Sequence, residues 1–288
     1  AARNLRQGRT GIIVALVPNL GNPFFSEVLA GIENQAAAAG YSVLVSDTMQ
    51  ANAHDRSFLD YLRNDRCDGL IVLDGTLSRQ ISRSDLPDAS TPEIVFACEW
   101  DEDASFPSIT IDNRKAAALA VRHLFELGHR DIGHVAGPQG NVLTEARREG
   151  MLAEMKVLGL TARPDWMLPG DFGLESGVAA AKAWLAMAQR PTAMFCASDQ
   201  MAFGFMSTVL RAGFDVPRDV SVVGFDDIDI ARCFVPSLTT VRQPRFEIGT
   251  RAASILIARM SSQRGRAEGR LAVELIARES TSAPPRRT

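Results

Sequence analysis

At 288 residues with 46% apolar residues, the chain is long enough to bury a large core and is expected to divide into two lobes. Its 31 basic and 34 acidic residues give a net charge of −3, which excludes a general affinity of the folded body for polyanions. No apolar run approaches the length of a membrane helix, and residues 1–10 lack the hydrophobic segment of a signal peptide. We therefore expect no membrane contact, although a secreted protein whose signal has been removed is compatible with the same observations.

Strand-like apolar runs alternate with helical segments from the start of the chain. In the first half, strands are expected at residues 11–17, 41–47, 68–74 and 92–98. After the first of them, Asn22 is placed to cap the N–H groups of a helix, and Pro23 fits the first helical turn. A polar helix ending near Asn64 is expected after the second strand.

The same alternation repeats in the second half. A helical stripe that stops at Gly128 is formed by Ala117, Val121, Leu124 and Phe125. Further strands are expected at 131–137, 191–198 and 219–226, and a last strand at 271–277 follows a late helix. Near-continuous apolar strands separated by helices predict parallel sheets that are covered on both faces.

Two such series predict an α/β fold of two doubly wound parallel-sheet lobes, with the change between them near residues 111–114. The expected segments are an N-terminal lobe of residues 10–112 plus 243–265, a C-terminal lobe of residues 114–242 plus 270–282, and a disordered tail of residues 283–288.

The cysteines and histidines do not form a recognisable reactive or metal-binding motif. Single cysteines without a CxxC pair favour buried thiols in a reducing cytoplasm over a disulfide framework; they are Cys67, Cys98, Cys196 and Cys233. We interpret His123, His129 and His134 as structural residues rather than metal ligands. The sequence contains no GxSxG, Walker, GxGxxG or HExxH motif, so we expect neither enzyme activity nor a cofactor.

Residues that directly follow the predicted strands are the candidates for a binding site, because ligands of open parallel sheets bind beyond the carboxyl ends of the strands. In the first half these candidates are Asn22, Phe24, Phe25, Asp74, Glu99 and Trp100. In the second half they are Asn141, Arg147, Phe172, Asp199 and Asp226. Carboxylates accept from hydroxyl groups, an arginine donates, and aromatic faces cover C–H surfaces, so the set predicts a polyhydroxylated ligand.

Each candidate also has a plainer interpretation. Asp199 and Asp226 can cap helices or turns, and a helical Arg147 can be solvated. The phenylalanines among the candidates can belong to the core. The common sheet edge favours the binding interpretation for the group as a whole.

Four segments of the sequence resemble the lactose/purine repressor (LacI) family of bacterial transcription regulators: residues 128–138, 191–204, 219–227 and 236–244. They occur in the family's order and at family-like spacing, and the resemblance extends from residue 1 to about residue 281. It implies a periplasmic-binding-protein-like core of two lobes joined by three crossovers, with a small effector in the cleft between them. It also implies a homodimer.

The resemblance assigns roles to several candidates. Arg147 falls at the arginine that holds effectors in the family, Asp226 at the acid after the corresponding strand, and Phe172 at the stacking aromatic residue. Asp199 matches a position that holds an amide or an acid, and Gln243 lies at the third crossover.

The remaining matches concern the identity of the effector. Phe24 takes a place that is aromatic or small in the family. Purine repressors carry an arginine and a threonine where this chain has Asn141 and Leu143, which argues against a purine effector. Glu99 and Trp100 give the site more acidic and aromatic character than the lactose repressor has at the same stretch.

The first nine residues resemble the hinge that follows the helix-turn-helix headpiece of the family. Leu5 matches the leucine that family hinges insert into the minor groove, and Arg3, Arg6 and Arg9 are placed to meet phosphates. A flexible basic linker is the alternative. The headpiece is not in this chain, so we expect operator DNA to be bound by the full-length protein and not by this chain.

Two functions compete at this point. The first is a sugar-responsive, cytoplasmic transcription regulator, which the hinge-like residues and the unpaired cysteines favour. The alternative is a periplasmic sugar-binding protein that feeds a transporter.

Overall fold

A computed structural model describes residues 10–49, 67–79, 92–100, 106–261 and 268–285. The chain divides into two compact lobes, an N-terminal lobe of Ala1–Ile111 with Pro244–Leu271 and a C-terminal lobe of Asp112–Gln243 with Ala272–Thr288. Because the chain passes from one lobe to the other three times, the predicted α/β fold with three crossovers is confirmed. The predicted hinge (residues 1–9) and the polar helix ending near Asn64 lie outside the described residues.

The N-terminal lobe is a parallel sheet with two described helices. Its strands are β1 (Ile12–Val17), β2 (Ser42–Asp47), β3 (Gly69–Val72), β4 (Glu93–Ala97), β5 (Ser108–Ile111) and β11 (Glu268–Leu271), and its helices are α1 (Phe24–Ala38) and α6 (Arg245–Met260). The strand order is β11-β5-β4-β3-β1-β2, and every strand pair in it is parallel. β1 lies inside this sheet and is almost completely buried, as its uninterrupted apolar sequence predicts.

The C-terminal lobe repeats this architecture with four helices. Its strands are β6 (Ile132–Val135), β7 (Met167–Leu168), β8 (Ala193–Cys196), β9 (Ser221–Asp226), β10 (Thr239–Arg242) and β12 (Glu274–Ile276). Its helices are α2 (Asn113–Glu126), α3 (Val142–Val157), α4 (Leu174–Ala186) and α5 (Asp199–Arg211). The strand order is β12-β10-β9-β8-β6-β7, and only β12 is antiparallel to its neighbour.

The single last strand expected at residues 271–277 is wrong. β11 ends at Leu271 and pairs with β5 in the N-terminal lobe, whereas β12 begins at Glu274 and pairs with β10 in the C-terminal lobe. The apolar run is interrupted because the third crossover falls inside it, after Leu271.

The expectation of buried thiols is correct for three cysteines and wrong for the fourth. Cys67, Cys98 and Cys196 are buried, but Cys233 is exposed. Cys233 follows a short 3-10 helix (Asp229–Arg232) in the irregular segment between β9 and β10, where its local sequence pattern does not indicate burial. Among the described residues, no disulfide joins any of the four cysteines.

The histidines make contacts that anchor the end of the chain. His129 is fully buried, and its ring nitrogens pair with Thr192 Oγ1 at 2.8 Å, Ser221 Oγ at 3.1 Å and the Ser282 carbonyl at 2.9 Å. His123 Nε2 pairs with Thr281 Oγ1 at 3.0 Å. Desolvation lowers the pKa of both rings, which favours their neutral forms. The segment is therefore tied down as far as Ser282, and of the predicted tail the structure describes residues 283–285.

Two kinds of feature are absent from the described part of the chain. No helix there is long and apolar enough to span a membrane. No cluster of histidine, cysteine, aspartate and glutamate side chains in the same part of the chain could hold a metal ion.

Candidate functional site

The α3 helix brings an arginine to the carboxyl edge of the C-terminal sheet. Asn141 is the N-cap residue of this helix, and its Oδ1 accepts from Leu143 N at 2.9 Å and from Thr144 N at 3.3 Å. This cap fixes the start of the helix one and a half turns before Arg147, so that Arg147 lies on the buried face. The amide predicted as a ligand contact therefore also holds the helix in place.

Arg147 is buried and held on several sides. Its Nε donates to Asn113 Oδ1 at 2.9 Å, and its Nη1 donates to the Ala197 carbonyl at 2.5 Å. Its guanidinium carbon lies 3.7 Å from the ring centroid of Phe225 and 5.5 Å from that of Phe172. A planar cation fixed between two acceptors and aromatic faces has lost its rotamer freedom before any ligand arrives.

Phe172 lies beside this arginine on a strained stretch of backbone. Its φ of 67° is in the left-handed region, and its carbonyl accepts from Ser198 Oγ at 3.0 Å. A Cβ atom at Gly137 would collide with the Phe172 ring, so only glycine permits this approach. The ring is half-buried and keeps part of its surface exposed, as a stacking platform requires.

Asp226 ends β9 and pairs with the side-chain amide of Gln243. Gln243 lies at the second crossover in chain order rather than the third, since the chain changes lobe after Ile111, after Gln243 and after Leu271. Asp226 Oδ1 accepts from Gln243 Nε2 at 2.7 Å, and both side chains are buried. The φ of Asp226 is 122°, an uncommon value for an aspartate. The carboxylate and the amide therefore lie together at the strand edge, as the sequence predicts.

Asp199 lies beneath this edge rather than at its surface. Its side chain is completely buried, with Oδ2 accepting from Ile228 N at 2.9 Å and Oδ1 from Thr240 Oγ1 at 2.5 Å. Burial, and secondly the charge of Asp226, raise the pKa of Asp199 well above its usual range. These contacts give Asp199 a supporting position behind Asp226.

The N-terminal lobe has its own pair of buried acids at the carboxyl ends of its strands. Asp74 accepts from Thr48 Oγ1 at 2.6 Å and from Thr76, through its N–H at 3.0 Å and its Oγ1 at 2.6 Å. Glu99 Oε2 accepts from Gly75 N at 2.7 Å. The two acids thus meet at the short 3-10 segment that begins at Gly75.

The other candidates of this lobe surround the start of α1 and the end of β4. Asn22 Oδ1 accepts from Phe24 N at 3.0 Å, so the amide supports the helix start. Phe24 and Phe25 are buried and pack edge to face with their centroids 5.1 Å apart. Trp100 is half-buried.

The sequence reasoning missed Asn113, which is the buried partner of Arg147. Asn113 begins α2 directly after the N-cap residue Asp112 and only two residues after β5 ends. Asn113 satisfies the criterion used for the other binding candidates, since it follows a strand. The sequence analysis assigns residues 111–114 only to the boundary between the lobes.

Two α/β lobes with polar and aromatic residues at the carboxyl ends of parallel strands define a periplasmic binding protein-like protein. Residues 121–281 match the family described as the periplasmic binding protein-like domain. The HTH-type transcriptional repressor CytR of Escherichia coli (strain K12) is 38% identical over 284 residues, which is 98% of this chain and 83% of that repressor. The HTH-type transcriptional repressor PurR of Photobacterium profundum is 34% identical over 91% of this chain and 78% of its own length.

A solved structure agrees with these sequence relatives. The LacI family transcriptional regulator from Enterococcus faecium with bound ribose matches with a TM-score of 0.85 and 27% identity, over 94% of this chain and 99% of that one. The chain belongs to the LacI family of transcriptional regulators.

Proposed function

We propose that this chain is the effector-binding and dimerisation core of a LacI-family regulator that senses a small polyhydroxylated ligand, a sugar or a sugar derivative. The observation that carries the proposal is the joint placement of Arg147 and Asp226 at the strand edge of the C-terminal lobe, both buried and both held by side-chain amides. A fixed cation and a fixed carboxylate are the donor and the acceptor that neighbouring hydroxyl groups need.

The other members of the site extend the same chemistry. The half-buried ring of Phe172 offers a flat apolar face for the C–H surface of a sugar ring. The N-terminal lobe has buried acceptors of its own, Asp74 and Glu99, at the carboxyl ends of its strands. The ribose bound to the Enterococcus faecium regulator supports a ligand of this class.

Besides the effector, the proposed regulator has two partners, operator DNA and a second copy of the chain. In the full-length protein, operator DNA is the first of these, with Arg3, Leu5 and Arg6 in the hinge. A cytoplasmic homodimer fits a regulator of this family, because each operator half-site takes one subunit. The ligand is bound and released unchanged, so it is recovered intact by NMR after incubation with the protein.

The test begins with a thermal-shift screen of pentoses, hexoses, phosphosugars and nucleosides, followed by calorimetry with the compound that stabilises the protein most. Asp226→Asn and Arg147→Ala should each weaken binding roughly ten- to hundredfold, about 1.5–3 kcal/mol. Phe172→Ala should weaken binding while leaving the fold intact. Asp165→Asn, which changes an exposed acid of the same lobe, is the control and should bind as the parent does.

Two results contradict the proposal. One is unchanged affinity in both Asp226→Asn and Arg147→Ala. The other is stabilisation by free purine bases with no response to any compound that carries a sugar.

A further inference from the structure

The turn that carries Asp226 is strained at two consecutive positions. Asp226 has a φ of 122° and Asp227 a φ of 55°, and neither residue is glycine. Non-glycine residues in such regions are strained and persist only where the surroundings hold them. Other contacts must therefore hold the turn in this conformation. The conformation of the turn decides where the Asp226 carboxylate points.

The restraint is a pair of arginines on the neighbouring carboxylate. Arg242 Nε donates to Asp227 Oδ2 at 2.7 Å, and Arg278 Nη2 donates to Asp227 Oδ1 at 2.6 Å. Each carboxylate oxygen of Asp227 thus accepts from a different arginine. Because the Asp227 side chain is only 9% exposed and that of Arg278 only 15%, water weakens this ion pair little.

The two arginines come from different parts of the lobe and are themselves anchored. Arg242 ends β10, and its Nη1 also donates to Glu274 Oε1 on β12 at 2.8 Å. Arg278 follows β12, and its Nη1 donates to the Leu238 carbonyl at 2.7 Å, while its backbone N–H donates to Thr239 Oγ1 at 2.8 Å. The fork of Arg278 therefore connects the strained turn to the segment that enters β10.

We propose that Arg278 is a positioning residue for effector recognition, acting through Asp227 to hold Asp226 in its strained conformation. Arg278 does not donate to Asp226; it fixes the residue next to it. This inference rests on the proposed function in one respect, namely that Asp226 receives the effector. The segment after β12 thus sets, through Arg278, the affinity of a site to which it contributes no ligand contact.

Affinity is the first test, using the compound identified by the thermal-shift screen. Arg278→Ala should weaken binding about tenfold, and Arg278→Lys, which keeps the charge but cannot serve both Asp227 and Leu238 with a planar fork, should lie between. The control is Arg218→Ala, which removes an exposed arginine paired with Asp215 in the same lobe and should leave affinity unchanged.

A double-mutant cycle separates positioning from general destabilisation. In an Asp226→Asn background, Arg278→Ala should change affinity less than about twofold, because the group that it positions is already altered. An equal loss in both backgrounds, or unchanged affinity in Arg278→Ala alone, would overturn the inference.

A measurement without any ligand keeps the inference testable if the effector proposal itself fails. The backbone N–H of Ile228, directly after the strained pair, donates to the buried Asp199. In Arg278→Ala, hydrogen exchange at Ile228 should accelerate at least about tenfold, while exchange at Val223 inside β9 stays unchanged. Exchange that rises equally at both amides, or at neither, would show that Arg278 does not hold the turn, whatever the protein binds.

Discussion

The hydroxyl of Thr240 donates to Oδ1 of Asp199 at 2.5 Å. The Asp199 side chain is completely buried in the C-terminal lobe. The backbone N–H of Ile228 donates to its second oxygen at 2.9 Å. Asp199 thereby links the start of α5, the turn after β9 and the middle of β10 behind the candidate site. Because burial raises the pKa of Asp199, the contribution of this side chain to the stability of the folded state depends on pH.

The first prediction concerns Asp199→Asn, which replaces the acid by a neutral group of the same shape. The folded pKa of Asp199 lies above its unfolded value near 3.8. Its contribution to stability is therefore complete below that value and is lost as pH rises towards the folded pKa. Scanning calorimetry should show a higher Tm for Asp199→Asn than for the parent at pH 8, with the difference vanishing towards pH 4.

The exposed acid Asp229 in the following turn provides the control, since Asp229→Asn should leave Tm close to the parent's throughout. A Tm for Asp199→Asn that falls below the parent's by the same amount at pH 4 and pH 8 would contradict the prediction. It would show that the two hydrogen bonds, and not the charge, decide the effect.

The second prediction concerns acid destabilisation by His134. The ring is buried and stacked on Phe195 with centroids 4.9 Å apart, and burial lowers its pKa from 6.5 to about 4. Since the folded pKa is depressed, stability is complete above pH 6.5 and is lost as pH falls towards about 4. The full loss of stability on protonation of His134 is on the order of 3 kcal/mol, because one pKa unit corresponds to about 1.36 kcal/mol.

His134→Phe keeps the stacked ring and removes the titration. It also removes the bond between Nδ1 and the Phe195 carbonyl at 2.8 Å, so the variant should be about 1 kcal/mol less stable at pH 7. Urea unfolding at a series of pH values should show this deficit shrinking and then reversing by pH 4. A deficit that stays constant would mean that His134 does not carry the acid sensitivity.

Local sequence patterns predicted seven of the twelve described strands and the candidate edge, because both depend on short-range features. The apolar run of β1 and the hydrogen bond of Asn22 at the start of α1 each involve only residues that are close in sequence. Both features can therefore be predicted from a short stretch of the chain. The side chain after each strand is equally local information. This rule singled out Asp226, whereas its hydrogen-bond partner Gln243 was a candidate only through the family resemblance.

Asn113 itself meets the local rule of following a strand, but its pairing and the other missed features depend on distant partners. Asn113 and Arg147 are 34 positions apart, and nothing local to either indicates that they pair. Asp199 follows its strand like the other candidates, yet Thr240, 41 positions away, draws it into the interior. The exposure of Cys233 likewise depends on which segments cover the turn that contains it.

The third prediction concerns the close contact of α4 and α5. A Cβ atom at Gly204 would collide with the Leu174 carbonyl, and one at Gly177 would collide with the Met201 carbonyl. Because backbone cannot move aside as a flexible side chain can, Gly204→Ala should cost roughly 1–3 kcal/mol in the free energy of unfolding. Ser207→Ala on the same helix is the control and should stay within about 0.5 kcal/mol of the parent in urea denaturation. Equal stability of Gly204→Ala and the parent would show that the helices separate without cost.

The last prediction concerns the homodimer of the proposed function. The segment between β9 and β10 exposes two aliphatic side chains, Ile230 at 53% and Val235 at 82%, beside Phe234, whose ring packs on Phe203 with centroids 5.0 Å apart. Apolar side chains clustered at the surface mark contact surfaces, and a two-fold interface presents the same patch from both subunits. Val235→Glu would therefore place one charge from each subunit in the interface of the proposed dimer. Sedimentation velocity at micromolar concentration should show a dimer for the parent and a monomer for Val235→Glu. Val157→Glu, which changes a valine on α3 that is 74% exposed, should remain dimeric. A monomeric parent refutes the dimer, and a dimeric Val235→Glu shows that the dimer interface does not include this segment.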